Sequence, residues 1–290
     1  MSALPTESQH DPLTTLLEKV DDLAVLPHVV LRVLEISASE DASPMDLERA
    51  IIVDPGFSSK ILTLANSAFF GLPRKVTSIR EAILFLGFRS VRNLAMTIGS
   101  YDMFVGKTDK ESLRRRMWWR HSVDTAVCCK WLAFFTRKTQ PDDSYTCGLL
   151  HLIGKPILER FGEGDYDRAT MMVHCGIPEL VAETRVFGCH HIEVALSASE
   201  RWGFPESLVS GLSYAGIPDE EDPGRTQRAC TAAGSAIAHI YEYRLEHPGE
   251  LGDFDLPEWT LEVLGIESDR LEMLVEQGVG AIGAAQLHLG

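Results

Sequence analysis

What this sequence lacks narrows its class before any motif is read. No apolar run approaches the ~18–20 residues that a membrane-spanning helix needs. Residues 1–12 are polar with acidic members and have no basic start ahead of an apolar stretch, so a secretory leader is not expected either. Cations are scarce: 27 Lys and Arg stand against 42 Asp and Glu, a net charge of −15 that opposes non-specific binding to nucleic acid or anionic lipid. Six cysteines (Cys128, Cys129, Cys147, Cys175, Cys189 and Cys230) form no Cys-x-x-Cys pair and lie in apolar, helix-like surroundings. Reduced thiols in a cytoplasmic protein are the expected state. Alternating strand patterns with hairpin turns, internal repeats, glycine-rich phosphate loops and local serine- or cysteine-nucleophile motifs are all missing, and no cofactor is called for.

What is present is helical period. Phe57, Ile61, Leu64 and Ala65 fall at i, i+4, i+7 and i+8, behind an Asp54-Pro55 pair that supplies a cap and a pre-set first turn. Ile79, Ala82, Ile83 and Leu86 repeat the pattern up to Gly87, and Val91, Leu94, Ala95 and Ile98 repeat it again. An all-α fold of two packed helical subdomains follows. The expected division is a flexible start over 1–12, a first subdomain over 13–105 and a charged linker or exposed helix start over 106–116. A second subdomain over 117–245 is then followed by a loop and helical closure over 246–290. At 290 residues the chain can bury a large core without staples.

Three stretches carry a resemblance: LPHVVLRVLEI at 26–36, DPGFSSKILTLANSAFFG at 54–71 and VTSIREAILFLGFRSVRNLAM at 76–96. In order and spacing they resemble the HDOD family, output domains related to the HD metal-dependent hydrolases. With the second block, the resemblance covers about residues 20–245. Physically, Asp54, Pro55, Asn66, Ser67 and Gly87 read as caps, stops and turn formers, so a fold-specifying role is expected of them.

In the second block the resemblance implies a hydrolase-type metal site that has lost ligands. His121, in Trp-Trp-Arg-His-Ser, matches the first-histidine helix. His151 and Leu152 stand where relatives have His-Asp, so a leucine replaces a carboxylate. His191 matches a later histidine, with His190 in place of a common acid. Ala215 and Gly216 fall where relatives often have histidines, and Gly234 where a last aspartate would be. Metal hydrolysis needs several anionic or imidazole ligands and an open water position, so this relic pocket is expected to hold no metal. The alternative is a zinc site of three histidines, His121, His151 and His191. The Gly-Tyr-Pro extension of cyclic di-nucleotide phosphodiesterases is missing: residues 217–223 are a short acidic loop.

Three other clusters invite a functional reading. Cys147 with His151, and Cys175 with Cys189 beside His174 and His190, have spacings that could suit a metal but suit small buried thiols better. Arg114, Arg115, Arg116 and Arg120, interleaved with Trp118 and Trp119, could grip a phosphate, a nucleic acid or an acidic partner; the plainer reading is a solvated helix face. The resemblance implies a non-catalytic, cytoplasmic bacterial regulator that works through a signalling protein partner. Neither nucleic acid nor membrane is an expected partner. A residual phosphohydrolase or nucleotide-binding protein is the alternative.

Overall fold

The computed structural model describes residues 11–21, 27–39, 41–67, 70, 72–104, 109–251 and 256–285. Residues 1–10 of the expected flexible start lie outside the described residues, as do 106–108 of the expected linker. Among the described residues every regular element is a helix.

The first subdomain shows how directly sequence sets its helices. Here α2 (His28–Ala38), α3 (Pro44–Ile52), α4 (Pro55–Ala65), α5 (Ile79–Leu86) and α6 (Phe88–Tyr101) pack on one another. Ser43 and Asp46 close a reciprocal capping box on α3. Asp54 accepts the Phe57 N–H at 2.9 Å, with Pro55 in the first turn of α4. Gly87 ends α5 at φ +85°, which a side chain would resist. Asn66 does more than end α4: its Oδ1 accepts the Val76 N–H at 2.7 Å and its Nδ2 donates to the Val76 carbonyl at 2.8 Å. The side chain thus clasps the loop that leads to α5. Ser67 departs from expectation, because its hydroxyl is buried and makes no hydrogen bond.

The second subdomain is built around α7 (Asp109–Thr136), a 28-residue helix about 42 Å long at the standard rise. Packed on it or on one another are α8 (Pro141–Leu150), α9 (Gly154–Phe161), α10 (Tyr166–His174), α11 (Glu179–Phe187), α12 (His191–Arg201), α13 (Glu206–Leu212) and α14 (Arg225–Glu246). Then α15 (Glu258–Leu264) packs on α14, and α16 (Leu271–Ala285) packs on both α7 and α14. Of the expected linker, 109–116 is the start of α7, since a charged stretch can be helical when its polar side chains find partners.

The subdomains meet through polar contacts on a buried face. Arg92 of α6 reaches Asp143 at 3.1 Å, Asn93 reaches Asp142 at 3.0 Å, and Thr97 and Tyr145 share a hydrogen bond at 3.0 Å. The first boundary also needs correction. Helix α1 (Pro12–Asp21), expected in the first subdomain, packs on α9 and α12 of the second. Its Leu16 and Leu17 are buried there, and Lys19 pairs with Glu163 at 2.9 Å.

Candidate functional site

A pocket of about 540 Å³ opens between α7, the α8–α9 turn and α14. Its walls include Trp118, His121, Leu152, Lys155, Ser235 and Glu242, with Ala215 and Gly216 at an exposed edge. The Leu-His-Leu-Ile-Gly-Lys stretch is the tight bend joining α8 to α9, pinned by the Ile153 N–H to Leu150 (2.8 Å) and the Lys155 N–H to Leu152 (2.9 Å). Gly154 is required there: a Cβ would stand 1.8 Å from the His191 carbonyl oxygen. That close approach seats α9 against α12.

The three expected histidines do not share one ligand set. His121 and His151 are neighbours, their ring centroids 5.3 Å apart. His151 donates through Nδ1 to the Gly148 carbonyl at 2.6 Å, which leaves Nε2 as an acceptor, buried and without a hydrogen-bond partner. His191 is sealed off. Its Nδ1 faces Glu183 at 2.6 Å, its backbone N–H meets the same carboxylate at 2.9 Å, and its Nε2 meets the Tyr214 hydroxyl at 2.9 Å. Tyr166 completes the chain by donating to Glu183. Leu152 is buried at the pocket wall in place of a carboxylate. Residues 151 and 152 therefore offer an ion one unpartnered nitrogen and a hydrocarbon. This set does not supply the several anionic or imidazole ligands that a hydrolytic divalent centre needs.

Gly234, expected at the last aspartate position, points elsewhere. Its Cβ would meet the Cys129 sulfur at 2.4 Å, so it serves helix packing. The next residue faces the pocket: Ser235 Oγ lies 3.0 Å from His121 Nε2. One and two turns further along α14 come His239 and Glu242, which the motif comparison missed. The spacing Ser235, His239, Glu242 (i, i+4, i+7) was a helical-face signal available in the sequence. Glu242 sits between two imidazoles, 3.0 Å from His121 Nδ1 and 3.4 Å from His239 Nδ1, and the two rings stack with centroids 4.0 Å apart.

The electrostatics follow from burial and these contacts. Burial lowers the pKa of His121, against the pull of Glu242, and so favours the neutral ring. Burial pushes His151 well below its ordinary value, helped by His121. Burial also outweighs Glu183 at His191. Burial would raise Glu242, but hydrogen bonds from His121 and His239 prevail and leave it at about 2. Glu183 likewise settles at about 2 against burial, through His191, Lys155 and Tyr166. Asp124, one turn along α7 from His121, is pushed up to about 7 by burial, with Arg120 only partly opposing.

The other expected positions resolve simply. His190 replaces an acid as the N-cap of α12, in a reciprocal box with Glu193. Arg114 pairs with Asp167 at 2.8 Å and with Glu159, and Arg115 is buried against Glu159. These two guanidiniums are spent inside the fold, so only Arg116 and Arg120 of the expected cluster face solvent. Cys147 donates to the Leu208 carbonyl at 3.6 Å, and all six thiols are free.

Comparisons with known proteins agree with this architecture. A protein from Geobacter sulfurreducens, described as an HDOD domain protein of unknown function, is 24% identical with a TM-score of 0.71, over 96% of this chain and 99% of its own. A presumed phosphohydrolase from Shewanella amazonensis SB2B is 26% identical with a TM-score of 0.69, over 94% and 98%. An uncharacterized protein of Treponema pallidum (strain Nichols) is 27% identical over 199 residues, 68% of this chain; the match spans 38% of that longer relative. Residues 23–218 match the HDOD domain family, and with two thirds of its length inside that match the chain belongs to the HDOD family.

Proposed function

We propose that this HDOD protein is a non-catalytic regulatory component of signal transduction that acts through protein contacts. The observation that carries the reading is Leu152, a buried hydrocarbon at the pocket wall where the resemblance to HD hydrolases implies a metal-binding carboxylate. No carboxylate from position 234 or 235 makes up the loss, and His191 is committed to Glu183 and Tyr214. What remains is a pocket whose polar groups mostly bond to one another.

Exposed apolar side chains support a role in contacts. On α3 and α5, which pack together, and at the α3 C-cap, Met45, Ile52, Val53, Leu84 and Phe85 are all exposed. Large apolar side chains left exposed on neighbouring helices are suited to a contact surface. The test is an assay of the full chain against bis(p-nitrophenyl) phosphate and cyclic dinucleotides with added manganese, iron or zinc. The expected result is turnover no greater than with metal alone. Metal-dependent turnover that disappears in His121→Ala would overturn the reading.

A further inference from the structure

We propose that His121, His239 and Glu242 form a binding site for a zinc-class transition-metal ion that bridges α7 to α14, sharing His121 with the site the resemblance implies but taking its other ligands from α14. One ligand atom from each residue lies within 4.8 Å of the others. Two imidazoles and a carboxylate are a donor set that zinc accepts when a fourth position is left for water. The carboxylate already gathers both Nδ1 atoms, at 3.0 and 3.4 Å. Zinc bonds of ~2.0–2.1 Å hold tetrahedral ligand atoms roughly 3.4 Å apart, so a set now lying within 4.8 Å has only its looser separations to close. His239 has the freedom to supply that movement, since its side chain is 69% exposed. All three side chains line the 540 Å³ pocket, so water can reach a fourth position.

The rest of the surroundings suits an ion here rather than deeper. Leu152 presents hydrocarbon to the pocket where the resemblance implies a carboxylate. Ser235 supplies the outer partner that metal-bound histidines use: its Oγ lies 3.0 Å from His121 Nε2. Without metal, His121 carries its proton on Nδ1 and donates to Glu242, while Nε2 accepts from Ser235. On binding, the Nδ1 proton leaves, the ion takes that lone pair, and a proton taken up on Nε2 is donated to Ser235. The His121 ring keeps one proton through this exchange, and binding involves no redox change.

The test uses the full chain stripped with EDTA and titrated with Co²⁺, whose visible bands report four- or five-coordinate geometry, followed by displacement with Zn²⁺. About one equivalent of tight binding is expected. His239→Ala, at an exposed position, and Glu242→Gln, which keeps the side chain's shape, should each weaken it by more than roughly tenfold, and Ser235→Ala by roughly 10–100-fold. Cys175→Ser, which removes an exposed thiol, should leave it unchanged. Equal cobalt binding by wild type, His239→Ala and Glu242→Gln overturns the proposal, as does absence of binding. Loss on His151→Ala with His239→Ala unaffected also overturns it, by moving the ion to the histidines beneath. Turnover by zinc-loaded protein would instead sink the non-catalytic reading and leave this site standing.

Discussion

At the scale of single residues, neighbours one position apart on α14 have opposite roles. Gly234 has no room: a methyl group there would press on the Cys129 sulfur, so Gly234→Ala should cost ~1–3 kcal/mol in a urea melt. Ser235 faces the pocket and is the position at which a lost carboxylate could be restored. The double variant Leu152→Asp with Ser235→Asp should be less stable than wild type in EDTA, because two carboxylates enter a partly apolar wall. Manganese or zinc should recover its melting temperature, since an ion bound only by the folded state favours that state. A melt of the double variant that ignores both metals would show that these side chains do not face one pocket. Motif spacing alone could not separate Gly234 from Ser235. A one-residue difference turns a helix by ~100°, and only the packing against α7 reveals which side is inward.

At the scale of elements, caps were the legible part. Asp54, Pro55 and Gly87 announce the ends of α4 and α5 in the sequence and occupy those ends in the fold. Asp54→Ala should cost ~0.5–2 kcal/mol, read as a lower urea midpoint at unchanged slope. The Asn66 clasp was not legible as such, because its partner, the Val76 backbone, lies ten residues on. Asn66→Ala strips a donor and an acceptor from Val76 at once and should cost ~1–3 kcal/mol. Asn66→Asp keeps the acceptor for the Val76 N–H but sets a carboxylate oxygen against the carbonyl, so it should fall short of rescue. Long-range partners also explain the misread arginines. Arg114 and Arg115 look like a basic surface along the chain, but Glu159 and Asp167 arrive from α9 and α10 to neutralise them.

At the scale of the whole molecule, buried histidines set the response to acid. His151 and His191 have folded pKa values below their ordinary ones, so the unfolded chain binds protons that the native state refuses. Stability is then full above about pH 6.5 and is lost as pH falls below it, by up to ~1.4 kcal/mol per pH unit for each histidine. Asp124 acts in the opposite direction. Its folded pKa of about 7 means that the native state holds a proton the unfolded chain releases, so its contribution weakens as pH rises from about 4 to 7. In chelated protein, Asp124→Asn should therefore steepen the loss of stability between about pH 6.5 and 5, and His151→Asn should flatten it. Melts across that range check both slopes. A profile in which neither variant alters the slope would mean that these groups meet water in the native state.

The placement of α1 has a practical consequence for anyone who would cut this protein down. The family match begins at residue 23 and ends at 218, which invites expression of that span alone. Such a fragment would uncover the seat on α9 and α12 that Leu16 and Leu17 fill. It would also strip α14 from the flank of α7, uncovering Cys129, which packs on Gly234 and bonds the Cys230 carbonyl, and His121, which bonds Ser235 and Glu242. Recognisable ancestry and mechanical autonomy thus have different borders here: the excised span should aggregate or lack a cooperative melt, whereas residues 11–285 should keep one.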